Sequence, residues 1–200
     1  MNHPRFIAAS FLLCLALLGA HLLAASQAQP PHSTAYDSAA AKIAWLAENA
    51  HSSILSTRPT TLTASEWNAY LNEGGVKLPP GLANIRISSQ PEVVHGDAEV
   101  DFDRLTSNRT RNNPFLALFT GKHHVAVTAQ VVVNAAVATL RVDSIQFDGV
   151  EVPRLALEYF ANRYLQPRFG KAVGMDATIP LRAHIASVTV GADQVTITQR

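Results

Sequence analysis

In the stretch HGDAEVDFDRL, Asp97, Glu99, Asp101 and Asp103 occupy every second position. Carboxylates in such a row can ligate a divalent cation, pair as general acid and general base, or solvate one side of a strand. In a strand, alternate side chains point to opposite faces, and neighbours on one face stand ~7 Å apart. That is too wide for two of them to grip one cation without ligands from another element. A calcium loop gathers its oxygens on a tight turn around a central glycine, whereas Gly96 precedes this row. The spacing favours the solvated face, with Ala98, Val100 and Phe102 turned to an apolar side.

Other chemistry-bearing residues are scattered. His32, His51, His95, His123, His124 and His184 include no pair at helical i, i+4 spacing with a glutamate, the arrangement a zinc site needs. His123 and His124 are neighbours at a strand start, so their side chains diverge. The nucleophile elbow G-x-S-x-G and a glycine-rich phosphate loop are both absent. The expectation is a protein that is not an enzyme, with no catalytic residue, metal or cofactor.

The N-terminus has the plan of an export signal. Arg5 is the only charged side chain before Asp37, and a mainly apolar run extends from Phe6 to Ala20, with His21 interrupting it before Leu22 to Ala25. Ser26-Gln27-Ala28 then supplies the small-x-small pattern of a cleavage site. The competing reading is a retained anchor, because the run approaches the ~20 residues that cross a bilayer. Either way the expected location is outside the cytoplasm, periplasmic or anchored to the membrane. Cys14 lies inside this segment behind Phe11-Leu12-Leu13, so it is no lipoprotein attachment site, and the exported part has neither disulfide nor thiol. Loss of Arg5 leaves basic and acidic side chains equal in number, which argues against nucleic acid as a partner.

The expected organisation is a signal peptide or membrane anchor over 1–28, a tether over 29–37, and one α+β domain over 38–200. A helix from about Ser38 to Ser52 comes first. In TLTASEWNAYL, Thr63 and Glu66 form a capping-box signature ahead of Trp67, Tyr70 and Leu71. LANIRISS and EVVHGDAEVDFDRL read as an antiparallel pair turning at Gln90-Pro91, and two long strands flank Asn134-Ala135-Ala136. In the second of these the apolar phase jumps from Val142 to Ile145 and Phe147, which marks a bulge near Ser144. A helix after Pro153 places Leu157, Phe160, Ala161, Tyr164 and Leu165 on one stripe, and a hairpin turning at Gly191-Ala192-Asp193 ends the chain. The fold class is α+β with a largely antiparallel sheet.

Such a sheet, polar on one face and apolar on the other, needs a cover. One C-terminal helix and two N-terminal ones either bury the whole apolar face or leave part of it as a groove. Between Arg104, Arg109, Arg111 and the cations that follow it, the cluster Phe115, Leu116, Leu118, Phe119 has two readings. It fits a tip that touches an anionic membrane, or a short helix packed into the core. Asn108-Arg109-Thr110 matches a glycosylation sequon, a short pattern that also arises by chance.

The order of an export segment, LTASEWNAYLNE, AEVDFDRL, FDGVEVP, an amphipathic helix and a closing VTV…QVTITQ hairpin resembles the LmeA-like and YpmS-like bacterial extracytoplasmic proteins. These are related in fold to tubular lipid-binding (TULIP-like) domains. The resemblance spans roughly residues 40–200. It implies a long curved antiparallel sheet wrapped around a helix, a groove for lipid chains, and a role in envelope lipid transfer or maintenance. On that basis the groove is expected to be lined by Val100, Phe102, Val127, Ala129, Val131, Leu140 and Val142. Leu157, Phe160 and Tyr164 would form a helical lid, and Arg109, Arg111, Phe115, Leu116, Phe119 and Lys122 would contact the membrane or head groups. The expected partners are lipid or another hydrophobic small molecule and a membrane surface. The alternative is a membrane-tethered structural or protein-interaction module with a closed core.

Overall fold

The computed structural model describes residues 32–106, 119–134, 137–169 and 174–200. The export segment, the sequon, Arg109, Arg111, Phe115 and Leu116 lie outside them. The first helix, α1, spans Thr34–Ala50 and so starts within the stretch read as a tether. A local cap explains the earlier start: the Tyr36 amide donates to Ser33 Oγ at 3.1 Å. Glu73 then accepts from the Ser33 amide at 2.8 Å and from its hydroxyl at 2.7 Å. The Tyr36 ring stacks against His32 and Tyr70, so this turn is packed as well as capped.

A short strand β1 (Thr60–Thr63) leads into helix α2 (Ala64–Asn72), and the expected capping box between Thr63 and Glu66 is formed. The Glu66 carboxylate is buried and does more than cap. It accepts from the Thr63 amide at 2.8 Å, from Ser38 Oγ at 2.5 Å and from Lys42 Nζ at 2.6 Å, tying α2 to α1. Burial pushes this carboxyl up, and the hydrogen bonds from Lys42, Ser38 and the Thr63 amide outweigh that, holding it below the ordinary glutamate value. A carboxyl depressed in the folded state contributes stability at higher pH and loses it as the proton binds. The Glu66 contribution is therefore complete above about pH 4.5 and fades as the pH falls below that value. Glu66→Ala is expected to cost about 2–3 kcal/mol at neutral pH, from the lost cap and the stranded partners. Urea unfolding at pH 7 and in mild acid measures both effects, and the gap between variant and parent should narrow in acid.

The principal sheet is an antiparallel meander of β2 (Leu82–Gln90), β3 (Val93–Asp101), β4 (Lys122–Asn134) and β5 (Val137–Phe147), in that spatial order. The outer edge of β5 is shared by two short strands. β6 (Val150–Glu151) pairs near Phe147, and β7 (Asp176–Pro180) pairs along Val137 to Arg141. Thr128 faces Ser144 while Ala129 faces Val142, so Asp143 is the extra residue of a bulge, beside the expected Ser144. A second sheet, in the order β1-β9-β8, uses the C-terminal hairpin of β8 (Ile185–Gly191) and β9 (Gln194–Gln199). Buried Gln199 ties this sheet to α1, donating to the Leu46 and Ala183 carbonyls and accepting from Asn49.

Helix α2 also closes the free edge of β2. Asn68 accepts from the Ile87 amide at 2.7 Å and donates to its carbonyl at 3.0 Å. One turn later Asn72 does the same at Ile85, at 2.9 and 2.7 Å. Asp193 continues the row, with its amide donating to the Ser89 carbonyl and its carboxylate accepting from the Ser89 amide. Two asparagines at i, i+4 thus stand in for a neighbouring strand on an edge otherwise open to association. Asn68→Ala strands one donor and one acceptor and is expected to cost about 1–2 kcal/mol. Faster hydrogen exchange confined to the β2 edge is the expected signature.

Two further element boundaries differ from the sequence reading. Strand β3 stops at Asp101, and Phe102–Thr106 form a short helix, α3, because Asp101 Oδ1 accepts from the Arg104 amide and turns the chain. The helix after Pro153 is α4 (Arg154–Phe160), continued by a π-helical turn (Ala161–Leu165) and by α5 (Gln166–Phe169). The C-terminal helix lies across the apolar face of the principal sheet with Leu157 and Phe160 inward, while Leu155 and Tyr159 remain on its exposed side.

Candidate functional site

The carboxylate row is divided by the turn at Asp101. Asp97, Glu99 and Asp101 stay on the outer face of β3, whereas Asp103 sits in α3. Asp97 meets His124 across the strands at 3.5 Å, an exposed pair with a small energetic role. Among the described residues, no group of His, Asp or Glu side chains is arranged to hold a metal ion. The residues between the carboxylates point the other way: Ala98 and Val100 are buried.

On that inner side the sheet and the C-terminal helix leave a gap of about 180 Å³. β3 supplies Val94, Gly96 and Val100, β4 supplies Val125, Val127 and Ala129, and β5 supplies Leu140, Val142, Ile145 and Phe147. The helical side supplies Leu157, Phe160, Ala161 and Leu165, and Leu82, Phe102, Leu105, Phe119, Gly174 and Met175 complete the walls. Every described residue lining the space is apolar or glycine. The space exists because the β3–β5 face carries mainly valine, alanine and glycine, too short to reach the helix at every point. An apolar cavity of ~150 Å³ is known to stay dry and accept a small hydrocarbon.

One end of the cavity is built of aromatic rings. Phe119 stacks in parallel on Phe160 at a centroid distance of 4.0 Å, and meets Phe102 and Phe147 edge-on at 5.7 and 5.5 Å. His123 closes this cluster, stacked on Phe147 at 5.6 Å. Its Nδ1 lies 2.7 Å from Asp148 Oδ2 and its Nε2 lies 2.9 Å from the Thr120 carbonyl. The hydrogen bond from His123, followed by that from the His124 amide, holds the Asp148 carboxyl below its usual range.

Of the expected groove residues, Val100, Phe102, Val127, Ala129, Leu140, Val142, Leu157 and Phe160 all line the cavity. Val131 is buried farther along β4, outside its walls. Tyr164 is replaced in the wall by Leu165. The π-helical turn supplies the reason, since one extra residue per turn carries the inward direction from position i+4 after Phe160 to i+5. Tyr164 instead stacks on Phe160 from the side and lies under the Arg163 guanidinium. Phe119 corrects the membrane-tip expectation, being 1% exposed at the centre of the aromatic cluster. Lys122 is exposed at the start of β4. Sequence reasoning passed over Val125, Ile145 and Phe147 as wall residues, although each stood in phase with the apolar face. Met175 carried no such signal, because its place beside the cavity follows from the pairing of β7 with β5.

Fold and cavity together define a class: an α+β domain whose antiparallel sheet and C-terminal helix enclose an apolar space. Compared with known protein families, curated proteins and solved structures, the chain shows no match.

Proposed function

We propose that this protein binds lipid or another hydrophobic ligand in the apolar cavity, outside the cytoplasm, in the service of envelope lipid transfer or maintenance. The observation that carries the reading is the uniform chemistry of the walls, apolar or glycine at every described position. Burial of an alkyl chain gains ~0.8 kcal/mol per methylene, so a few carbons inside such walls suffice for measurable affinity. The volume is below the ~300–1,000 Å³ of drug-sized sites, which points to one chain or part of one rather than a whole two-chain lipid. The export signature and the resemblance to extracytoplasmic lipid-binding proteins support the same assignment. With Asp97, Glu99 and Asp101 on the solvent side of β3, the reading includes no catalytic step.

The test is direct. Titration with the neutral dye N-phenyl-1-naphthylamine should give saturable fluorescence, and native mass spectrometry after gentle extraction from membranes should retain a lipid adduct. A protein that takes up no dye and carries no adduct has a closed core, and the structural-module reading then replaces this one.

A further inference from the structure

The inner face of β3, β4 and β5 is apolar or glycine except at one end. His123 stands opposite Val100 in the register and therefore on the same side of the sheet. Its neighbours Lys122 and His124 point to the other face, where Asp101 and Glu99 are their cross-strand partners. Along Val94 to Val100, His123 to Val133 and Ala138 to Phe147, His123 is the one ionisable side chain at the inward positions. Its side chain is 25% exposed, so solvent protons reach a ring that borders the apolar surface.

The two ring nitrogens meet two oxygens that only accept. Nδ1 lies 2.7 Å from Asp148 Oδ2, and Nε2 lies 2.9 Å from the Thr120 carbonyl. The Asp148 carboxyl, held below its usual range, is ionised and has no proton to give. A neutral imidazole carries one N–H and serves one of these acceptors, whereas the imidazolium serves both. The charged ring thus joins two segments that each continue directly from a phenylalanine of the cavity wall. Thr120 follows Phe119, and Asp148 follows Phe147. The ring also packs on Phe102 and Phe147 themselves. Once a proton is lost, the short bond to the Asp148 carboxylate is the one retained. An Nε2 lone pair then faces the Thr120 carbonyl oxygen, and that contact turns from attraction to repulsion. The other charged groups on the elements packed around the ring are Glu99 and Asp101 of β3, Asp103 and Arg104 of α3, and Lys122 of β4. His124, the second histidine there, pairs with Asp97 on the outer face.

We propose that His123 is a proton-operated latch on the ligand cavity. Its charged ring holds the Phe119 and Phe147 walls together, and loss of the proton loosens the Phe119 wall and weakens the grip on an apolar ligand. The signal travels through the two backbone segments, so the ligand itself stays within the apolar walls. The contribution is present in acid and lost as the pH rises through about 5 to 8, the span in which imidazole side chains ordinarily change charge. The inference rests on the cavity being a ligand site.

Titration of the full protein with the neutral dye N-phenyl-1-naphthylamine, from about pH 5 to about pH 8, tests it. Affinity is expected to be about fivefold higher at the acid end, the scale of one partly exposed ion pair. His123→Gln keeps a single donor in place and should bind at both ends with the weaker affinity of the parent at high pH. His124→Gln should leave the fivefold difference intact. Nitrogen-15 NMR of the unsubstituted protein should show both His123 ring nitrogens protonated in acid, with a midpoint that matches the change in dye affinity. That comparison decides the matter even where His123→Gln fails to fold. Affinity that is level with pH or higher at high pH, a difference that survives His123→Gln or vanishes in His124→Gln, or mismatched midpoints overturn the latch and leave the cavity reading standing. Absence of dye binding across the whole range overturns both.

Discussion

Phe119→Ala is expected to lower the unfolding free energy by about 3–4 kcal/mol, the largest stability effect of any single substitution considered for this protein. The side chain is 1% exposed, lies flat on Phe160 and is met edge-on by Phe102 and Phe147. Removing it takes one ring from three aromatic contacts and opens a void where α4 docks on the sheet. Urea unfolding gives the magnitude. The measurement also separates the two readings of the apolar cluster before β4. A side chain serving as a membrane tip would cost less than about 1 kcal/mol when truncated and would weaken vesicle binding instead.

Ala129→Leu should abolish ligand uptake while sparing the fold. Ala129 lies on the inner face of β4 at the bulge, with Val142 as its cross-strand partner, and its side chain borders the cavity. Three added carbons there occupy space the ligand needs. Dye affinity should fall at least about tenfold, the scale of losing a few buried methylenes. Stability should stay level or rise by about 1 kcal/mol, because filling a void restores contacts that its walls lack. A closed, fully packed core predicts the reverse sign, a loss of about 1–3 kcal/mol from overpacking. The combined outcome of dye titration and urea unfolding on this one variant decides between a ligand-binding protein and a structural module.

Strand faces were legible because the side-chain period of two is a local property. Ala98 and Val100 against Asp97 and Glu99 need only the pleat to be sorted. The same locality made the Thr63–Glu66 capping box, the β8–β9 turn and the bulge beside Ser144 readable, since each depends on residues within one turn or one cross-strand pair. The end of β3 was missed although its cause is equally local. Phe102 and Asp103 continue the alternation perfectly, and the Asp101 cap that turns the chain leaves no mark in the hydrophobic pattern.

Other features had no local signal. β1 and β7 are short and take their strand form from β9 and β5, partners more than thirty residues away in sequence. The π-helical turn that exchanges Tyr164 for Leu165 in the wall is invisible to a 3.6-residue period. The cations around Phe119 in sequence left a surface tip and a packed core position both open, and it is buried because Phe102, Phe147 and Phe160 converge on it in space.

By itself, then, the amino-acid order determined the α+β class, the outward placement of Asp97, Glu99 and Asp101 and which residues of each long strand face inward. Periodicity and capping carry that much. Only the tertiary structure decided whether the inward faces meet as a filled core or as a space. That outcome depends on the summed volumes of side chains from β3, β4, β5 and α4 and on how closely the helix can approach, and no single segment encodes either quantity.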